Sequence, residues 1–306
     1  MKQQILKELR SRKDIVSGEH LSATLGISRV SVWKHIHRLQ DLGYNILSAP
    51  KGYQLLDSPD ILFPWEFPGR ESRMHYFPEL SSTMDAARDL ARKNCPDFTV
   101  VVAGRQTQGR GRLNRRWVSA DGGLYFTLVL RPDIPVPISS RVNFLASLTL
   151  ARVLREMYRI EAAVKWPNDI LVHNRKLSGM LSELEAEADR VFFINIGMGV
   201  NVNNDPTAVE PGAVSLKNIL GRRISRIRLL SRFLDDFEDR LNTADFDNVV
   251  SQWKRYTVTL GRQVKIVTRK EVSEGLAVDV DESGALVLEL SDGTTKTILY
   301  GDCFHQ

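Results

Sequence analysis

Between Arg105 and Arg116 the chain carries five arginines, no acidic residue, and two glycines one residue apart, Gly109 and Gly111. The run closes on Asn114-Arg115-Arg116-Trp117. A core strand does not hold that many unpaired charges. A helix does not place glycines in its interior. A mobile cationic loop that takes an anion fits both constraints. Glycine lets the backbone come close, and arginine offers a planar fork of donors to phosphate or carboxylate. A solvated basic turn has the same composition, so this loop alone does not decide.

Lys165-Trp166-Pro167-Asn168-Asp169 is the second chemical stretch, with Lys176 on the next strand after a tight turn. Such charges pair for a small gain if exposed. As a phosphate site, Lys165 and Lys176 neutralise oxygens while Asn168 or Asp169 helps hold Mg²⁺. An arginine-glycine loop in the same domain favours the phosphate reading. Ser81-Ser82-Thr83-Met84 has the composition of a helix cap, and a helix N-terminus also offers free N–H groups to a ligand carbonyl or ureido oxygen. In Asn195-Ile-Gly197-Met-Gly199-Val-Asn201, glycines inside a strand mark either a bulge or the close approach of a ligand.

The elements that must position these residues follow from periodicity. Ile5, Leu6 and Leu9 predict a first helix, Gly18 to Leu25 a second, and Arg29 to Leu42 a third. Ser28 is the N-cap of the third helix. That helix buries Val32, Ile36 and Leu39 and turns Arg29, Ser31, Lys34 and His35 outward. Strands at 44–47 and 52–56 flank Pro50-Lys51 as a wing. This is a winged helix-turn-helix. The chain's net charge of +5 lies entirely in residues 1–56, which hold nine Lys/Arg against four Asp/Glu. A localised surplus of that kind suits DNA. Pro59, Pro64 and Pro68 predict a stiff, extended linker. Beyond it, strands and helices from 74 to 256 predict an α+β domain, a mainly antiparallel sheet with helices on one side. Four short strands between 264 and 299 predict an SH3-like barrel without a catalytic constellation of its own. The expected domains are 1–58, 70–257 and 259–306.

The chain of 306 residues is 42% hydrophobic and 26% charged, as in ordinary globular proteins. Two distant cysteines, Cys95 and Cys303, argue against a disulfide framework and a zinc cluster. Met1 opens a charged amphipathic segment, and no apolar run reaches the ~20 residues needed to span a bilayer. A cytoplasmic protein without a membrane partner is expected.

Ser82-Thr83, Gln106 ahead of Gly-Arg-Gly-Arg, Arg115 with Trp117, Lys-Trp-Pro-Asn-Asp, and Arg175-Lys176-Leu177-Ser178-Gly179 occur here in order. Together they resemble the family of bifunctional biotin–protein ligases and biotin operon repressors, across nearly the whole chain. The resemblance implies a catalytic domain similar to class II aminoacyl-tRNA synthetases. It implies a biotin site of Ser82, Thr83, Met84, Gln106, Arg110, Gly111, Arg112, Lys165 and Gly179. It places Arg112, Arg115, Trp117, Lys165, Asn168, Lys176 and Asn201 toward ATP, with Lys165 and Arg112 catalytic and Asp169 toward Mg²⁺. Ser28, Arg29, Ser31, Lys34, His35 and Lys51 would meet operator DNA. The implied partners are the biotin carboxyl carrier protein of acetyl-CoA carboxylase and a second copy of the chain when the adenylate is bound. Met84 replaces the family's usual Asn, and Asn114 its usual Gly, which should stiffen the loop. A lipoate–protein ligase, a catalytically dead regulator and a synthetase paralogue are the rivals.

Overall fold

The computed structural model describes residues 1–12, 14–243 and 246–306, without the side chain of Asn114. The stiffening expected from Asn114 therefore lies outside the described residues. The chain divides into two compact units, Met1–Ser72 and Arg73–Gln306.

The first unit is the expected winged helix-turn-helix. Helices α1 (Lys2–Ser11), α2 (Gly18–Leu25) and α3 (Arg29–Asp41) precede the hairpin of β1 (Asn45–Ala49) and β2 (Gly52–Asp57). Ile5, Leu6, Leu9, Leu21, Val32, Ile36 and Leu39 are buried together. Ser17 and Ser28 cap α2 and α3 by accepting from His20 N and Ser31 N. Gly52 has φ 141°, and a Cβ there would sit 2.1 Å from the Val16 carbonyl oxygen. Only glycine lets the wing close on the segment before α2.

The proline-containing segment after the wing is not the extended linker expected. Leu62, Phe63 and Phe67 are buried in this unit. Trp65 stacks on Phe63 at 4.4 Å and lies under the Lys2 ammonium at 4.1 Å. Glu66, itself buried, accepts from Arg10 at 3.0 Å and from the Tyr44 hydroxyl. Three large apolar side chains outweigh the local preference of proline for an open path.

The second unit is built on a seven-stranded sheet of order β3-β4-β5-β9-β8-β7-β6. Its strands are β3 (Met74–Leu80), β4 (Thr99–Gln106), β5 (Leu124–Leu130), β6 (Ala163–Lys165), β7 (Asp169–Val172), β8 (Arg175–Glu187) and β9 (Arg190–Val200). The β3–β4 pair is parallel and the other pairs are antiparallel. The helices do not share one side, contrary to expectation. Helix α4 (Thr83–Arg92) packs Ala87 and Ala91 against Val101 and Val129. Adjacent residues on a strand face opposite ways. Phe126, which pairs with Val102, accordingly meets Phe233 of helix α7 (Arg226–Thr243) on the other face. Helix α5 (Ser140–Tyr158) packs with α7 and with α8 (Phe246–Lys254), whose Trp253 meets Phe144 edge-on at 4.9 Å. A short helix, α6 (Leu216–Leu220), follows the sheet.

The small C-terminal sheet has five strands, not four. They are β10 (Gln263–Val267), β11 (Val272–Val280), β12 (Leu286–Glu289), β13 (Thr295–Ile298) and β14 (Asp302–His305), in the order β13-β12-β11-β10-β14. Strand β14 is short and lacks clear alternation, which hides it from periodicity. Fully buried Trp166 locks the two sheets together. Its Nε1 donates to Gly284 O at 3.0 Å and its backbone N to Thr259 Oγ1 at 3.0 Å. No helix of the described residues is long and apolar enough to cross a membrane.

Glu66 generates the first prediction. Truncating it strands the Tyr44 O–H and leaves Arg10 with Ser58 Oγ, a cost of about 2–3 kcal/mol for a buried charged acceptor. Glu66→Ala should lower the unfolding free energy of the first unit by that amount in urea titrations. A change under about 0.5 kcal/mol, typical of surface substitutions, would refute the packed-segment account.

Candidate active site

A cleft of about 790 Å³ opens on the α4 face of the large sheet. One end is made by the start of α4. Ser82 occupies the cap position, but its hydroxyl caps nothing. The Ser82 side chain is buried, and its Oγ has no partner among the described residues. Beside it the hydrogen bonds form a saturated chain. Gln106 Oε1 accepts from Thr83 N at 2.7 Å and from Thr83 Oγ1 at 3.0 Å. Gln106 Nε2 donates to Ser119 Oγ at 2.8 Å, and Thr127 Oγ1 donates to Thr83 Oγ1 at 2.9 Å. A buried hydroxyl left open beside a rigid polar chain is a prepared partner for a ligand's polar head.

The floor is strand β9. Its glycines mark neither of the two things the sequence left open, since the register runs without a bulge at Gly197 and Gly199 and the space above them is filled by the protein. A Cβ at Gly197 would lie 2.5 Å from Met84 Sδ, and one at Gly199 would lie 2.4 Å from the Trp117 indole. Gly179 on β8 is also roofed by Trp117, at 2.9 Å. The glycines make room for two protein side chains. Met84 is buried, so it serves as wall and not as hydrogen-bond donor. Trp117 Nε1 is buried without a partner among the described residues, and the Lys176 ammonium lies 5.5 Å from the indole centroid.

The arginine loop departs from the unpaired, mobile segment expected. Arg105 pairs with Glu79 at 2.7 Å. Arg110 binds Asp85 at 2.9 Å and Glu183 at 2.6 Å. Arg115 pairs with Asp302, and Arg116 donates to Thr107 O at 2.9 Å. The Arg110 guanidinium is thus committed to two carboxylates, and the Gly111 N–H next to it donates to Arg115 O at 2.8 Å. Arg112 is the exception. It donates to the neutral Asn168 Oδ1 at 3.1 Å and pairs with no carboxylate among the described residues. Burial lowers its pKa, while Asp302 and Asp169 nearby work the other way. Arginine stays charged at neutral pH regardless. A partly desolvated cation lacking a direct counter-ion is a seat for an anion.

Opposite Arg112, Lys165 ends β6 and Asp169 begins β7, the two in register. Asp169 Oδ1 binds Lys176 Nζ at 3.1 Å. Asn168 is fixed by donating Nδ2 to Met180 O while its Oδ1 accepts from Arg112. Among the described residues no three His, Cys, Asp or Glu come together as a metal site. Asp169 and Asn168 therefore meet a divalent ion only if phosphates supply most of its ligands. Asn201 is buried and held by Asn204 at 2.9 Å. Lys165, Arg112, Arg115, Lys176, Asn201, Ser82, Thr83, Gln106 and Gly179 all line this one cleft.

Two contributors escape the sequence reading. The loop after β9 brings Asp205, Pro206, Val209 and Glu210 to the wall, and the last strand brings Asp302 to His305. The barrel therefore does furnish part of the site. Short polar loops carry no period to find them by. Burial raises the Cys303 thiol to about 11, so it is no nucleophile at neutral pH.

On α3 the outward face differs in part from expectation. Arg29 and Lys34 are exposed, as is Lys51 in the wing, while Ser31 and His35 are only half-exposed. Ser28 is engaged in capping, and His35 Nδ1 is buried without a partner among the described residues. Val30, Trp33 and His37 take the exposed positions.

His305 generates a pH prediction. Burial, then Lys165 and Arg262, depress its pKa from 6.5 to about 4. The unfolded chain therefore binds a proton that the folded chain refuses between roughly pH 6.5 and 4, and stability falls as pH drops through that window. His305→Asn should flatten part of that slope in thermal melts from pH 7 to 5. An identical slope would remove His305 as the cause.

Comparison with known proteins agrees with this geometry. Residues 76–201 match the biotin/lipoate A/B protein ligase family, residues 2–54 an HTH domain, and residues 259–306 the biotin protein ligase C-terminal domain. The bifunctional ligase/repressor BirA of Bacillus subtilis is 36% identical over 298 residues, covering 92% of each chain. Its Escherichia coli counterpart is 29% identical, over 94% of this chain and 91% of its own. The biotin protein ligase of Aquifex aeolicus, solved in complex with biotin and ATP, aligns with a TM-score of 0.64 at 29% identity. That alignment covers 76% of this chain and 98% of the other. With both units and the C-terminal sheet matched in order, this chain belongs to the biotin protein ligase family, among its bifunctional ligase/repressors.

Proposed function

We propose that this chain is an ATP-dependent biotin–protein ligase that also binds DNA as a repressor. The observation that carries the reading is Arg112, a partly desolvated cation without a carboxylate partner, in the same cleft as Lys165 and the open Ser82 hydroxyl. Biotin has a ureido head for Ser82 and Thr83 and a carboxylate at the other end. The dithiolane of lipoate has no polar head to satisfy that hydroxyl, which favours biotin.

In this reading the biotin carboxylate attacks the α-phosphorus of ATP, and pyrophosphate leaves. Two anions must approach. Arg112 and Lys165 offset their repulsion and stabilise the charge that grows on the phosphate. Lys176, held by Asp169, and Asn201 and Trp117 border the nucleotide. Mg²⁺ arrives with ATP as part of the substrate. The biotinyl-5′-adenylate is a mixed anhydride. A lysine amine of the carrier protein attacks its carbonyl carbon and AMP leaves. The arginine loop shields the anhydride from water until then. The carrier is the biotin carboxyl carrier protein of acetyl-CoA carboxylase, in the cytoplasm.

The second activity uses α3 and the wing. One winged helix covers one half-site, and phosphate contacts alone give weak, salt-sensitive affinity. A homodimer on a palindrome supplies the rest. The adenylate acts as corepressor, because it settles the loop on the cleft and lowers the entropy cost of pairing two copies.

Lys165→Ala should lower pyrophosphate release with biotin and ATP by about 10²–10³-fold, the loss typical of one charge-stabilising donor. Biotin binding by calorimetry should change far less. An unchanged turnover number removes Lys165 from the catalytic set, and equal turnover with lipoate overturns the substrate. Arg112→Gly should release the adenylate and label lysines indiscriminately, with an off-rate raised at least tenfold, as losing a charge-assisted contact implies. Wild-type retention would sink the lid role.

A further inference from the structure

The outward arc of α3 is charged at its edges and apolar at its centre. Val30 is 63% exposed and Trp33 51% exposed, one helical turn apart. The Trp33 indole meets the His37 ring edge-on, with centroids 4.2 Å apart. Arg29 and Lys34 flank them on the same exposed arc, opposite buried Val32, Ile36 and Leu39. A face that met only water would gain nothing from an indole and a valine at its centre. A charge surplus of five in residues 1–56 makes the face's surroundings cationic.

This pattern fits the major groove of a duplex. The groove walls are phosphates, which suit Arg29 and Lys34. Its floor carries one apolar feature among the base edges, the C5 methyl of thymine. Phosphate contacts position the protein without reading sequence, so discrimination must come from what reaches the floor. We infer that Val30 and Trp33 read thymine methyl groups, with His37 holding the indole on edge and Arg29 and Lys34 gripping the flanking phosphates. The inference rests on the DNA-binding role proposed above and names the feature that role recognises.

The test uses the full chain with biotin and ATP at fixed salt. Duplexes retained from a random pool are sequenced, and the tightest is remade with deoxyuridine for each thymine in turn, which removes only the methyl group. At one or two thymines per half-site, deoxyuridine should weaken wild-type binding roughly tenfold, the scale of one lost base contact. Trp33→Ala should bind both duplexes equally, near the deoxyuridine level, with an unchanged salt slope and unchanged biotin ligation. Arg29→Ala should weaken both duplexes by the same factor and reduce the salt slope. Indifference of the wild type to deoxyuridine at every position overturns methyl reading and leaves DNA binding intact. A full thymine preference in both Trp33→Ala and Val30→Ala does the same. Retention of no duplex by an active ligase overturns the DNA role itself and returns this face to a protein partner.

Discussion

The cleft is organised around one guanidinium that the protein does not neutralise. Arg112 is partly desolvated, yet its side chain rests on the amide oxygen of Asn168. A carboxylate there would stabilise the empty protein and compete with any anionic ligand. The other loop arginines are treated differently. Arg110 and Arg115 are tied off by Asp85, Glu183 and Asp302, and Lys176 by Asp169. The charges thus divide into those that hold the loop and those left for chemistry. The division requires acids from α4, β8 and β14 to converge on one loop.

The sheet makes that convergence possible. Gly179, Gly197 and Gly199 clear a floor on which Trp117 and Met84 lie against backbone. With Trp117 seated, the return arm of the loop is anchored, and Arg112 is carried over the ends of β6 and β7. The C-terminal barrel is joined by Trp166, whose neighbours Lys165 and Asn168 belong to the site. A packing joint and a chemical site therefore share one short turn, so motion of the barrel relative to the sheet reaches the site directly.

Loop order also bears on the link between ligation and DNA binding. Had all five arginines been free, ligand binding would have to order the whole loop. With Arg110 and Arg115 already paired, part of the loop is held beforehand and the rest is left for the ligand to settle. What remains for it to supply is the counter-charge at Arg112.

Local signals in the sequence determined much of this molecule. Ser17 and Ser28 as caps, the Val32–Ile36–Leu39 stripe and the wing turn specify the helix-turn-helix, because each acts within a few residues. Lys165-Trp-Pro-Asn-Asp169 and the Gly-Arg loop stood out as candidates because residue type alone states charge and backbone freedom, and both line the one cleft. Tertiary structure decided what depends on partners far along the chain. It showed that the proline segment folds back on α1, since burial of Phe63 and Phe67 is invisible to local propensity. It turned His35 inward and Trp33 outward, a difference of a fraction of a helical turn. It brought Asp302 and His305 beside Lys165, from which they lie 137 and 140 residues away in sequence. It left Arg112 on an amide oxygen while Arg110 and Arg115 met acids, because which charge is neutralised depends on what faces it, and sequence distance does not encode facing.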